Sequence, residues 1–252
     1  MENKNNIEKK DKIYLNKIRN LVNKTLYEFD LLKENDRILV GLSGGKDSLT
    51  LLECLALRKL HGDINFDLAA VYVKVENSSY QIDEPQIKNI CDQLKVPLIF
   101  HELILDDKKT SRTRCFICSW NRRKVLFEIA KQHDFNKLAL GHHMDDALET
   151  MMLNMIYHGS LSSLPGKLKM FKGRMELIRP LLLLTNAEIK KYAEIRDFPK
   201  LKSNCPFENY TQRNEMRNLV NELSLLNPAA RINMFNAMTK IFHEYLPEKG
   251  RK

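Results

Sequence analysis

Three groups of residues have the types and spacing to do chemistry. The first is the run Ser43, Gly44, Gly45, Lys46, Asp47, Ser48. It follows a short apolar stretch and opens a segment of helical periodicity, so it joins a strand to a helix. In that setting backbone N–H groups converge on an anion at the positive end of the helix. Gly44 and Gly45 allow close backbone approach, Lys46 adds a point charge, and the hydroxyls of Ser43 and Ser48 add donors. A Walker A loop would need Gly at position 40 and Ser or Thr at 47, but these are Val40 and Asp47. A tight turn alone does not account for a Lys-Asp-Ser tail at this register, so the run reads as a phosphate cradle.

The second group is Cys115 and Cys118, a spacing at which two thiolates can share one metal or form one disulfide. Three readings are open: a redox pair, half of a zinc site, or part of an iron–sulfur site. Cys205 is the distant partner. Cys54 and Cys91 sit mid-helix and read as small core residues. Three thiolates without an evident fourth suit a cluster with one open iron, while zinc asks for four ligands. The third group is Gly141, His142, His143, Met144, Asp145, Asp146. Adjacent carboxylates at a strand end can hold Mg²⁺ against phosphates, and Asp145 can also cap the helix that follows. His142 and His143 can ligate zinc, pack, or line a pocket.

These groups need a scaffold, and the hydrophobic pattern supplies one. Strands are expected at 37–41, 67–73, 97–100 and 137–141, alternating with helices at 47–58, 84–95, 119–133 and 145–157. Alternation of this kind predicts an α/β fold, a parallel Rossmann-like sheet covered by helices. Ligands then bind outside the strand carboxyl ends, where the first and third groups fall. Residues 160–179 are basic and interrupted by Gly and Pro, a loop or hairpin. Thr185 with Glu188 forms a capping-box pattern. Asn227 with Pro228 opens a last helix to about Tyr245. The expected organisation is an N-terminal helical segment over 1–34, the α/β domain over 35–180, and a helical extension over 181–252 carrying Cys205.

Composition bounds the partners. Forty-one basic residues against 32 acidic ones give a net charge of +9, and five cysteines in 252 residues are too few and too odd for a secreted disulfide framework. The chain shows no signal-peptide pattern and no apolar run of membrane-spanning length, so a cytoplasmic location and no membrane partner are expected. The charge is uneven. Residues 108–124 hold Lys108, Lys109, Arg112, Arg114, Arg122, Arg123 and Lys124 with no acid; residues 167–179 hold Lys167, Lys169, Lys172, Arg174 and Arg179 against Glu176. Together they exceed the net charge of the whole chain. Phe116 and Trp120 lie within the first stretch; Trp120 reads either as a core residue or as an aromatic that stacks on unpaired bases. Clustered charge beside exposed aromatics suits RNA.

The run at 43–48 resembles the pyrophosphate-binding loop of the PP-loop, or N-type ATP pyrophosphatase, family. Members cleave ATP between the α and β phosphates and adenylate a carbonyl or carboxyl oxygen. The order of the loop, the pair Cys115/Cys118 and residues 141–146 is similar to that of tRNA 2-thiolation enzymes. The segments 118–123, 153–157 and 178–180, with the late Cys205, look like the TtcA group, which makes 2-thiocytidine in tRNA. The resemblance covers roughly residues 15–245. It implies ATP on Ser43, Gly44, Gly45, Lys46, Asp47 and Ser48, adenine beside Val73, and nucleotide contacts at Gly141 and Asp146. It implies a [4Fe–4S] cluster on Cys115, Cys118 and Cys205, Mg²⁺ on Asp145 and Asp146, and catalytic roles for Lys46, Asp47, Asp146 and Arg122. Such proteins commonly have a second Cys-x-x-Cys at the late cysteine, whereas position 208 here is Glu208; three ligands suffice in the family.

The implied activity is an ATP-dependent tRNA sulfurtransferase that adenylates O2 of a cytidine, at anticodon-loop position 32, and replaces it with sulfur. AMP and pyrophosphate leave. The partners are tRNA, contacted by Lys108, Lys109, Arg112, Arg114, Arg123, Lys167 and Lys169, a sulfur donor (cysteine desulfurase or sulfide), and a second copy in a homodimer. The alternatives are a 2-thiouridine-forming enzyme, a nitrogen-transferring lysidine or amide ligase, and a non-enzymatic iron–sulfur RNA sensor.

Overall fold

In chain order the elements are α1 (Glu2–Glu28), β1 (Asp36–Leu42), α2 (Lys46–His61), β2 (Phe66–Val75), β3 (Tyr80–Gln81), α3 (Glu84–Gln93), β4 (Leu98–Leu103), α4 (Arg114–Gln132), β5 (Lys137–Ala139), α5 (Met144–His158), β6 (Lys167–Met170), β7 (Met175–Ile178), α6 (Asn186–Ile195), β8 (Lys202–Ser203), α7 (Gln212–Leu226) and α8 (Ala230–Ala237). This computed structural model describes residues 2–75, 80–81, 83–104, 114–199, 202–203 and 212–247, with the backbone alone at 2–7, 80–81, 114–116, 118 and 202–203. By compactness the chain forms two units, Met1–His143 with Pro165–Asn209, and Met144–Leu164 with Tyr210–Lys252.

The first unit is built on a six-stranded sheet in the order β4-β2-β1-β5-β7-β6. All neighbours are parallel except β6 and β7, which form an antiparallel hairpin at the edge. The parallel sheet follows from the apolar runs: β1 and β2 are buried along nearly their whole length, as strands covered on both faces must be. One face buries Ile18, Val22, Leu51, Leu55, Ile189 and their neighbours from α1, α2 and α6. The other packs Val125, Leu126, Ile129 and Ala130 of α4 over Leu39, Val71 and Leu138. The expected basic loop at 160–179 contains this hairpin, and β7 adds a fifth parallel strand by pairing with β5.

Lys137, at the start of β5, is 2% exposed. Its ammonium lies 2.7 Å from Asp36 and 3.4 Å from Glu176, and donates to the Leu31 carbonyl at 2.8 Å. A buried cation needs such partners, and these three lock β5 beside β1 and β7. The capping box is formed in full: Thr185 accepts from the Glu188 N–H and Glu188 reaches back to Thr185 N–H at 3.1 Å.

In the second unit α5 faces α7 and α8 through two arginine–carboxylate pairs. Arg217 Nε donates to Glu149 at 2.8 Å and Arg231 Nε to Asp145 at 2.9 Å. The last helix is shorter than its sequence pattern predicts. Asn227 Oδ1 accepts from Ala229 N–H at 2.9 Å, and α8 runs only to Ala237. There the Thr239 and Lys240 N–H groups turn back onto the Asn236 carbonyl and close the helix. Helix α7 occupies a stretch in which the sequence pattern marks no element, and it buries only Met216 and Val220. The division by compactness follows contacts rather than chain order: α1 and α6 pack with the sheet, and α5 with the last two helices. Among the described residues, no helix is long and apolar enough to cross a membrane.

Candidate active site

The chain runs outward from β1 through β2 to β4, then returns to place β5 on the other side of β1. The strand order therefore reverses between β1 and β5, and a parallel sheet opens a crevice beyond the carboxyl ends of the strands at such a point. Loop 43–45 leaves β1 there, and residues 141–143 follow β5.

The loop is held by its serines. Ser48 Oγ accepts from the Ser43 N–H and lies 3.2 Å from the Ser43 hydroxyl, and it donates to the Gly45 carbonyl at 2.9 Å. Gly45 N–H donates to Ser43 Oγ at 3.3 Å. Gly44 has φ +77, a conformation that favours glycine. Helix α2 starts at Gly45 without a side-chain cap, so its first-turn amides are left to an anion.

Gly141 joins the two strand ends. A Cβ there would lie 3.0 Å from the Asp47 carbonyl carbon and 3.1 Å from Ser48 N. Only glycine lets the chain after β5 press this closely on the first turn of α2. Lys46 Nζ lies 2.5 Å from Asp47 Oδ1, and His143 Nε2 lies 3.8 Å from the same oxygen. Lys46 and Asp47 are about one-third exposed, while His143 is buried. The Asp47 carboxylate thus lies between a cation and an imidazole where the loop after β1 meets the chain after β5. His143 thus packs against the loop's carboxylate; the sequence left its role open among three.

Val73 is buried in β2 and pairs with His101 of β4, so a ligand beside it would meet backbone. Arg122 is half-buried on α4, and its Nε is buried with no hydrogen-bond partner. Its charge reaches Tyr72, whose hydroxyl is held above the ordinary tyrosine range by burial, with Arg122 opposing that rise. An orphaned guanidinium nitrogen of this kind is a donor suited to an anionic oxygen.

Backbone positions 115, 118 and 122 share one side of α4 by their spacing of three and four. The side chains of Cys115 and Cys118, like those of Arg114 and Phe116, lie outside the described residues, as do Lys108, Lys109, Arg112 and Cys205 entirely. Among the described residues no cluster of three His, Cys, Asp or Glu is placed to hold a metal. Cys54 and Cys91 are buried and unbridged, in accord with their reading as core residues. Asp145 and Asp146 open α5 in the second unit, where Asp145 is buried against Arg231, a partner no local pattern revealed.

The basic residues divide. Lys167 donates to the carbonyl and carboxylate of Asp30 at 2.7 and 2.6 Å, and holds that carboxyl below its ordinary range. Arg179 is 5% exposed. Arg123 and Lys169 are exposed. Trp120 is 53% exposed, which removes it from the core.

Residues 11–223 match a family model described as a PP-loop domain. The tRNA-cytidine(32) 2-sulfurtransferase of Hahella chejuensis is 32% identical over 96% of this chain and 88% of its own length. The protein of the same name from Aliivibrio fischeri is 35% identical over 92% of this chain and 77% of its own. Among solved structures, the U34-tRNA thiolase NcsA of Methanococcus maripaludis, determined with its [4Fe–4S] cluster, superposes with a TM-score of 0.75 at 24% identity, covering 91% of this chain and 78% of that one. The fold is shared with that thiolase, and by sequence the chain belongs to the PP-loop family and, within it, to the family of the tRNA-cytidine(32) 2-sulfurtransferases.

Proposed function

We propose that this protein is an ATP-dependent tRNA sulfurtransferase that converts cytidine 32 of tRNA to 2-thiocytidine. One observation carries the reading beyond family membership: Gly141 brings the end of β5 against an uncapped glycine loop, making one cradle at the switch point of the sheet. A triphosphate seated on Ser43, Gly44, Gly45 and Ser48 has its charge offset by Lys46 and by the amides of α2. Asp47, itself backed by His143, keeps the Lys46 ammonium directed at the loop. The α-phosphorus is then open to O2 of the cytosine ring. Adenylation forms the O2–phosphorus bond and expels pyrophosphate. Attack of sulfur at C2 then breaks the C2–O2 bond and releases AMP. Arg122, with its unpaired Nε, suits the adenylate oxygens, whose charge grows in the transition state.

Asp146 is our carboxylate for Mg²⁺; Arg231 offsets the charge of Asp145 and leaves it a poorer ligand. Three thiolates, Cys115, Cys118 and Cys205, match the donor set of a [4Fe–4S] cluster, and the shared side of positions 115, 118 and 122 on α4 supports that assignment. When bound, such a cluster supplies an iron free of protein ligands at which sulfur can be held. The sulfur comes from a cysteine desulfurase or from sulfide, and the acting form is a homodimer.

The test is anaerobic incubation of the cluster-loaded protein with tRNA, ATP, Mg²⁺ and sulfide, followed by mass spectrometry of the nucleosides. A 2-thiocytidine signal that vanishes in Cys205→Ser is expected. No thiolated nucleoside at full cluster loading overturns the reading. Activity that survives Cys205→Ser overturns the cluster's part in it.

A further inference from the structure

Helix α4 and the tip of the β6–β7 hairpin meet on one face of the first unit, and both carry exposed cations. The meeting point is an aromatic pair: the rings of Phe127 on α4 and Phe171 at the tip of the β6–β7 hairpin contact edge to face, with centroids 5.3 Å apart. The tip turns through left-handed backbone, as tight hairpin turns do. Phe171 and Lys172 have φ of +50 and +60, and Gly173 has +87. Side chains in the left-handed region cost free energy and persist only where the surroundings fix them. Here the hairpin turn itself fixes them, with Arg174 N–H donating to the Phe171 carbonyl at 3.4 Å, and Lys172 and Arg174 are exposed on the tip.

Along α4, residues three, four and seven apart share a side. From Trp120 this side carries Arg123, Lys124 and then Phe127, about 10 Å further along the axis. The opposite side is the one that packs the sheet, through Val125, Leu126 and Ile129. Trp120 therefore points away from the core, and its 53% exposure agrees. Arg123 and Lys124 are exposed next to it; Glu128 takes part of the Lys124 charge at 3.7 Å. A large aromatic left in water beside cations, on a face that continues into a second basic tip, has the form of a surface for unpaired nucleic acid. Bases stack on the ring while phosphates meet the charges.

We propose that Trp120 is a stacking platform for an unpaired base of the RNA substrate, set in one basic and aromatic face shared by α4 and the β6–β7 tip. The inference rests on the tRNA reading above. It adds a base contact outside the ATP cradle, and it explains why a bulky aromatic occupies an exposed helix position two residues after Cys118.

Trp120 is the chain's one tryptophan, so its emission reports the proposed contact directly. The protein, purified anaerobically, is titrated with tRNA and separately with heparin, a polyanion without bases, following tryptophan emission and filter binding together. tRNA is expected to quench the indole, and heparin to bind without doing so. Trp120→Ala is expected to weaken tRNA binding roughly 5- to 150-fold with heparin binding unchanged, and Trp120→Phe to restore most of the loss. The unfolding midpoints of both variants should match the parent, since the side chain is exposed. Equal tRNA binding by Trp120→Ala, or equal quenching by heparin, overturns the inference and leaves the tRNA reading standing. A parent protein that fails to bind tRNA removes both.

Discussion

Asp47 and Asp145 hold the same station in two strand-to-helix connections. Each is the second residue of its helix, α2 or α5, in the first turn where a carboxylate favours the helix dipole. Asp47 is paired with its chain neighbour Lys46 and keeps about one-third of its side chain in solvent. Asp145 is paired with Arg231, 86 positions away, and keeps 12%. The same local signature therefore serves two ends. A carboxylate paired locally and left open can meet a substrate. One paired across the fold and closed off mainly holds helices together.

The largest effect is expected at the open station. Lys46→Ala removes the cation over the cradle, and loss of a preorganised charge partner costs about 10²- to 10³-fold in turnover. Asp47→Asn should act in the same direction through the orientation of Lys46. Neither should move the unfolding midpoint much, because exposed substitutions usually stay within about 0.5 kcal/mol. Single-turnover thiolation alongside thermal unfolding checks both halves. A variant that unfolds early while its folded fraction turns over normally would place Asp47 with Asp145.

At the closed station the order reverses. Arg231→Ala removes the guanidinium that donates to the nearly buried Asp145 carboxylate, and also frees Ser224 and Asn221, which the same guanidinium engages. Breaking a fully buried pair costs about 3–5 kcal/mol; with Arg231 27% exposed, about 2 kcal/mol is the expected loss after solvent screening. Denaturant unfolding measures it. A loss below about 0.5 kcal/mol would mean that the pair is only a surface contact.

Between these lies Gly141→Ala. Its Cβ would press on backbone at 3.0–3.2 Å, which no side-chain rotation relieves. Overpacking of this kind costs about 1–3 kcal/mol, and the strain falls on the first turn of α2. Weaker ATP binding is therefore expected to accompany the lost stability, measurable by calorimetry on the folded variant. Unchanged nucleotide affinity would separate the strand end from the cradle.

The open station was legible in the sequence and the closed one was not, for a physical reason. The cradle is made of consecutive residues: Ser43 to Ser48 bond to one another, and the strand before and helix after them announce themselves by periodicity. β1, β2, β4 and β5 fall within a few residues of their expected places because each is a bounded apolar run. What escaped depends on distant partners. Lys137 looks like a surface residue until Asp36 and Glu176 close over it. Arg231 has no local sign of its role. β7 is four residues long, and only its pairing with β5 makes it part of the sheet. Trp120 was ambiguous because a helix with seven basic neighbours in sequence does not say which of its sides is covered; the packing of Val125 and Ile129 decides it.

The smallest effect concerns cysteines, and it contrasts buried thiols with proposed ligands. Burial pushes the Cys54 thiol up to about 12 and the Cys91 thiol up to about 11, with neighbouring Glu53 and Asp92 adding to the rise. The thiolate is the reactive form, so at about pH 8 both should resist alkylation in the native protein and label fully once it is unfolded. Their linkage to stability has a definite sign. The folded pKa lies above the unfolded value of 9.0, so both thiols are protonated in either state below that pH and contribute no slope. As pH rises from 9 towards 11 the unfolded chain gives up these protons first, and stability falls. Peptide mapping after native alkylation of metal-stripped protein is expected to find label on Cys115, Cys118 and Cys205 and to spare Cys54 and Cys91. If Cys91 labels as fast as Cys115, the division of the five cysteines into three ligands and two core residues fails at that position.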